Sequence, residues 1–169
     1  VTTFVDFVSS QTAPFSFQPT LDGTVYAATV TWNLFAQRYY LNLNALDGTL
    51  IFSLPLVGSP VGVALAGLSW AFGTVEATTE APHGYEEGST VALTLSGSAP
   101  DAYNGRFLCL VTGDATFTYP LAEDPGDTAS LGVVNFNVNL LAGYYDASGQ
   151  PFSSTLVYRP ANKQFEINP

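Results

Sequence analysis

The densest carboxylate cluster is Glu123-Asp124-Pro125-Gly126-Asp127. A calcium site draws on six or more oxygen ligands, and this stretch lacks the alternating Asp/Asn spacing of a calcium loop. It therefore reads as a solvated turn, and no metal is expected. Glu86-Glu87, between Tyr85 and Gly88, reads as another turn. A glycosidase would need two carboxylates across a sugar cleft, and among fourteen acids such pairs occur by chance. His83 could serve as a base or a ligand, but it is the only histidine and has no Ser or Cys in a recognisable setting. It reads as a loop residue that holds backbone by hydrogen bonds. Cys109 has no partner for an internal disulfide, and no spacing motif joins it to His83. Within Phe107-Leu108-Cys109-Leu110-Val111 it reads as a small buried apolar residue. There is no Gly-x-Ser-x-Gly elbow and no glycine string that follows a strand and opens a helix. The sequence thus predicts no catalytic residue, no cofactor and no enzyme.

The aromatic group Trp32, Phe35, Tyr39, Tyr40, Tyr144, Tyr145 and Tyr158 has two readings. Exposed together, these rings could stack on sugars or anchor a protein interface, where Tyr, Trp and Arg are favoured. Otherwise they fill the core from one face of each strand. Tyr39 and Tyr40 are consecutive and so point to opposite faces of a strand, which sends at least one to another layer, to solvent or to a partner.

The elements that position these residues are strands. Tyr26, Ala28, Val30 and Trp32 recur at every second position, and Tyr39, Leu41 and Leu43 do the same beyond a reversal at Leu34 to Gln37. Period-two alternation rich in β-branched and aromatic residues marks half-buried strands. Leu50 to Leu56 forms a third run after the turn signal Leu46-Asp47-Gly48, completing a meander. The chain of 169 residues has 47% hydrophobic, 14% aromatic and only 11% charged residues, with fifteen Gly and eleven Pro. That composition can bury a core and favours many short strands and turns. The nearest helix candidate, Pro60 to Leu68, holds too much glycine for a stable helix. The fold class is all-β.

The net charge of −10 disfavours nucleic acid, which needs clustered Lys and Arg, and an anionic membrane. No apolar run approaches the length of a membrane helix. The first residues lack the basic segment and apolar core of a secretory leader. The chain is expected to be made and kept in a cytoplasm, or assembled there into something larger.

Charge also divides the chain. Residues 68–135 carry nine acids against Arg106 alone, while the remainder carries five acids and three bases. Such asymmetry predicts a separate module, with strands at Gly73 to Thr79, Thr90 to Ser96, Gly105 to Thr112, Ala115 to Pro120 and near Leu131 to Phe136. Five short strands imply a small closed barrel without open edges. The flanking segments 1–67 and 136–169 then form a discontinuous antiparallel β-sandwich or barrel body, with the acidic module inserted in a loop. Residues 1–13 read as an N-terminal arm on a flexible link, Ser9 to Pro14.

Several stretches of the body resemble the plug proteins of contractile phage-tail baseplates. They are Phe17-Gln18-Pro19-Thr20-Leu21-Asp22-Gly23, Trp32-Asn33, Arg38-Tyr39-Tyr40, Pro55-Leu56, Asn139-Leu140-Leu141-Ala142-Gly143-Tyr144, Ser154 to Arg159 and Gln164-Phe165-Glu166. In simpler members the Pro-rich loop leads almost directly to the Leu-Ala-Gly-Tyr stretch, so the insertion is a departure. The insertion itself, with Ala81-Pro82-His83-Gly84-Tyr85, Gly88, Asp101 to Gly105 and Thr116 to Tyr119, resembles a small β-module repeated in many phage structural proteins. The resemblance implies a non-enzymatic virion part near the tail tube, hub and spike, in several copies in a symmetric assembly. Its partners would be other baseplate, tube or hub proteins. The alternative is a carbohydrate- or host-receptor-binding module of the tail. Phe4, Val5, Phe7 and Val8 in the arm, with Arg38, Tyr40 and Arg159, are assigned to the partner interface. The arm could add a strand to a neighbour's sheet, or it could complete this chain's own sheet.

Overall fold

The alternation read above becomes a set of antiparallel sheets. A computed structural model describes all of Val1–Pro169. The chain divides into two compact units, Val1–Gly58 with Asn139–Pro169, and Ser59–Val138. Apart from one 3-10 turn at Asp101–Tyr103, all regular structure is β.

In the first unit, β1 (Thr3–Asp6), β15 (Gln164–Asn168) and β14 (Thr155–Arg159) form one sheet in the order β1-β15-β14. β2 (Phe15–Phe17), β5 (Ala27–Asn33), β6 (Arg38–Asn44) and β7 (Leu50–Pro55) form a second in that order. A short hairpin joins β3 (Thr20–Leu21) to β4 (Thr24–Val25). The alternating apolar positions face one core: Ala28 and Val30, Leu41 and Leu43, Phe52, Leu156, Phe165 and Ile167 are all buried. The Phe17 ring stacks on Phe165 at 4.8 Å, joining the two sheets face to face. The reversal predicted at Leu34 to Gln37 is present, with Asn33 Oδ1 accepting the N–H groups of Phe35 and Ala36 at 3.0 and 2.9 Å.

The second unit is a closed barrel. Its strands are β8 (Val63–Ala71), β9 (Thr74–Thr79), β10 (Thr90–Ser96), β11 (Gly105–Gly113), β12 (Thr116–Pro120) and β13 (Val133–Phe136), in the order β10-β11-β12-β9-β8-β13. Val75, Ala77, Leu93, Leu95, Cys109, Val111, Phe117, Tyr119, Val134 and Phe136 fill it. Closure removes the open edges that would otherwise pair with other chains.

Two expectations need correction. The barrel has six strands, not five, and the unit boundaries lie at 58/59 and 138/139 instead of 67/68 and 135/136. The cause is a bulge in β8. Register with β9 shifts between Leu65 and Gly67, so the inward set changes from odd positions (Leu65) to even ones (Leu68, Trp70). An extra residue in one strand inverts the alternation there, and the period-two signal cancels. A cut at 67/68 would sever this strand.

Gly132, just before β13, has a steric reason to be glycine. A Cβ there would overlap Ser96 O and come within 2.6 Å of Ser98 N and 2.7 Å of Gly97 C, all of them backbone. Backbone cannot swing aside, so the junction of β10 and β13 would have to open. Gly132→Ala is expected to destabilise the barrel by about 2 kcal/mol or more. A denaturant melt that left its midpoint unchanged would refute this.

Candidate functional site

The arm docks on its own body. Thr3 to Asp6 pair antiparallel with Ile167 to Gln164, and Phe7 N–H donates to Lys163 O at 2.7 Å. Phe7 is buried at the centre of four rings, with centroids 5.3 Å from Phe15, 5.4 Å from Tyr39, 5.7 Å from Tyr158 and 5.8 Å from Phe165, all edge-on. Phe7 is thus a core residue and not a partner contact, and Val5 packs against the same core. The physical reason is the ring pocket together with the pairing on β15: ring burial and main-chain hydrogen bonds jointly offset the chain entropy that the arm loses. Phe4 and Val8 remain exposed, at 57% and 70%.

Arg38 is exposed at the base of the β5–β6 loop, in register with Asn33. Tyr40 is half-buried between Thr31 and Pro55 on the neighbouring strands. Arg159 is engaged within the chain, its Nε donating to Glu166 Oε2 at 3.0 Å. The aromatic group does not form a sugar-stacking platform. Tyr39, Tyr144 and Tyr158 pack on the body core, and Trp32 meets Tyr39 at 4.8 Å. Burial pushes the Tyr158 phenol up from its usual pKa, with Tyr39 adding to the effect. Only Phe35 and Tyr145 of the group are exposed, Phe35 beside exposed Leu34 at the hairpin tip.

The sheet ends are β1 and β14 in one sheet and β2 and β7 in the other, and β1 has no strand on its outer side. The outer side of β14 is taken: Leu140 N–H donates to Leu156 O at 2.8 Å and Leu156 N–H to Asn139 Oδ1 at 3.0 Å. β2 is three residues between Pro14 and Pro19, and β7 ends at Pro55. Prolines withhold donors and blunt such edges.

The candidates for chemistry are structural. His83 Nδ1 accepts Tyr85 N–H at 3.2 Å, and Nε2 faces Thr116 O at 3.4 Å. Cys109 is buried, its Sγ donating to Val91 O at 2.9 Å, and burial pushes the thiol up to about 11. Asp124 Oδ1 accepts Gly126 N–H in a turn.

In the sequence Asp22 stands out only as part of the plug-like stretch Phe17 to Gly23. Its carboxylate accepts the N–H groups of Ser153 and Ser154 and the Ser154 hydroxyl, at 2.9, 2.8 and 2.8 Å. In return Asp22 N–H donates to Ser154 Oγ at 2.8 Å. Desolvation raises the carboxyl pKa, but these hydrogen bonds outweigh it and the net shift is downward. No local pattern marks a partner so distant in the chain. The other missed residue is Phe72, exposed at the β8–β9 turn, where the dipeptide Phe72-Gly73 was the available turn signal.

Comparison with family models, with curated proteins and with solved structures finds no match to this chain.

Two outcomes follow from the arm and from Asp22. Phe7→Ala should cost about 3–5 kcal/mol and accelerate amide exchange from Thr3 to Phe7 in the monomer; unchanged protection there would mean that the ring is not what holds the arm. Asp22 has a folded pKa below its unfolded one, so its contribution is full above the unfolded value of about 3.9 and fades as pH falls towards the folded value. Because the residue is exposed and screened, Asp22→Asn should cost only about 1 kcal/mol at neutral pH. The gap to wild type should shrink in melts taken progressively below about pH 4. A gap independent of pH would exclude the carboxylate charge as its source.

Proposed function

We propose that the chain is a structural component of a contractile phage tail, located in the baseplate near the junction of tube, hub and spike, where it helps to connect the tail tube to the baseplate hub. It would act by contact with other virion proteins and be present in several copies.

The observation that carries this reading is where the plug-like segments lie. All of them fall in the unit made of Val1–Gly58 and Asn139–Pro169, on both sides of the barrel sequence. There they bond to one another. Asp22 holds Ser154, Asn139 holds Leu156, and Phe17 stacks on Phe165. These are the mutual contacts of one folded body. His83, Cys109 and Asp124 each bond to backbone of a turn or strand, which accords with a structural part.

The receptor-binding alternative would require exposed rings or a sugar cleft on the body. Tyr39, Tyr144 and Tyr158 pack inward, and the two exposed rings of the group, Phe35 and Tyr145, lie at different turns, which supports the structural reading over a shared sugar platform.

Cryo-electron microscopy of tails carrying this chain tests the proposal. Density for the chain is expected inside the baseplate, between tube and hub. Density at the periphery, free to meet the host surface, would overturn the assignment in favour of receptor binding.

A further inference from the structure

We propose that the β8–β9 tip of the barrel is an interaction surface for a basic protein partner, with Phe72 entering an apolar socket and Asp124 and Asp127 meeting lysine or arginine side chains beside it.

The tip is a two-residue turn. Ala71 pairs with Thr74, leaving Phe72 and Gly73 between them at φ 50° and 81°. Turns of this kind take Asn-Gly or Asp-Gly, because both central residues need positive φ. A bulky side chain in that region is strained. Phe72 recovers none of this by packing, since its exposure is 101%. In the free chain the ring is therefore a cost in both strain and hydration. Contact with another molecule can offset both.

The ring stands on a braced support. Gly73 O accepts Leu121 N–H at 3.0 Å, and the Trp70 indole donates to Leu121 O at 2.8 Å. A ring held in advance on a fixed turn loses little freedom on docking, which is the property of interface anchors.

The chemistry of the partner follows from what lies alongside. A cleft of about 240 Å³ is bounded by Ser69, Trp70, Tyr103, Asp124, Asp127 and Thr128. Tyr103 OH donates to Gly126 O at 3.1 Å and Thr128 Oγ1 to Leu68 O at 3.3 Å, so the walls are tied to the barrel. The Asp124 and Asp127 carboxylates on this polar cleft suit an ammonium or guanidinium group. The wider field agrees, because Ser59–Val138 carries nine acids and one base. A second copy of the barrel would bring like charge to like, and anionic membranes or nucleic acid would be repelled. A basic protein surface is the complementary occupant. This inference holds wherever the chain works and does not rest on the tail assignment.

The test uses the full chain, isotopically labelled for NMR, and an amidated peptide of alternating Arg and Leu as the probe. Shifts are expected at the Trp70 indole, Gly73 and Leu121 to Thr128. Phe72→Asn should weaken binding about tenfold, as loss of an anchor does. The double variant Asp124→Asn/Asp127→Asn should weaken it about threefold, with less salt dependence than wild type. In the same preparation Phe72→Asn should raise the melting temperature by roughly 2–4 °C, since Asn accepts the turn geometry. A fall in melting temperature would show that the ring serves the free fold, and the proposal would fail. Shifts spread equally to Glu76, Glu80, Glu86 and Glu87, or variants that bind as tightly as wild type, would also overturn it. So would Phe72-dependent binding to phosphatidylcholine vesicles, which would make the tip a membrane contact.

Discussion

The body depends on one buried ring. Phe7 touches Phe15 on β2, Tyr39 on β6, Tyr158 on β14 and Phe165 on β15, so a residue from the N-terminal arm is the common neighbour of both sheets. Edge-on aromatic pairs contribute beyond the area they bury, because the positive ring edge meets a negative ring face. The arm's backbone pairing with β15 and the stacking of Phe17 on Phe165 both converge on this point. It gives a discontinuous chain one centre. The body's last strands are contributed from the far side of the barrel sequence, and they close on residues from its first few positions.

Polar groups complete what the rings begin. The Asp22 carboxylate and Ser154 exchange hydrogen bonds in both directions, and the Asn139 amide oxygen serves Leu141 and Leu156 together. These side chains satisfy backbone donors that neither sheet reaches. Asp124 likewise holds its own turn through the Gly126 N–H, and His83 lies between Tyr85 and Thr116.

The barrel solves a different problem. Closure in a six-strand cycle protects every edge, at the cost of a bulge in β8 and a backbone approach at Gly132 that leaves no room for a side chain. With its interior filled by Phe117, Tyr119 and Phe136, the barrel exposes large apolar side chains at a few places, among them Val61, Phe72, Leu108, Leu110 and Leu131. Phe72 is such a place, and its strained, braced turn sets it apart from a ring left in solvent by default.

Much of this was readable in the sequence. The all-β class, the meander from Tyr26 to Leu56, the reversal at Leu34 to Gln37 and the buried Cys109 follow from local alternation and turn chemistry, which act over a few residues. The existence of an acidic module was legible in its charge. Its true limits were not, because the bulge between Leu65 and Gly67 reverses the alternation and hides β8. Tertiary structure alone decided the arm's fate, since Phe7 and Phe4 look alike in sequence and only the position of four distant rings buries one and leaves the other exposed. It likewise decided that Asp22 binds Ser153 and Ser154, and that Arg159 is held by Glu166. Strand alternation is a property of neighbours along the chain, whereas the choice of a packing or hydrogen-bond partner depends on which distant segments the fold brings within a few ångströms.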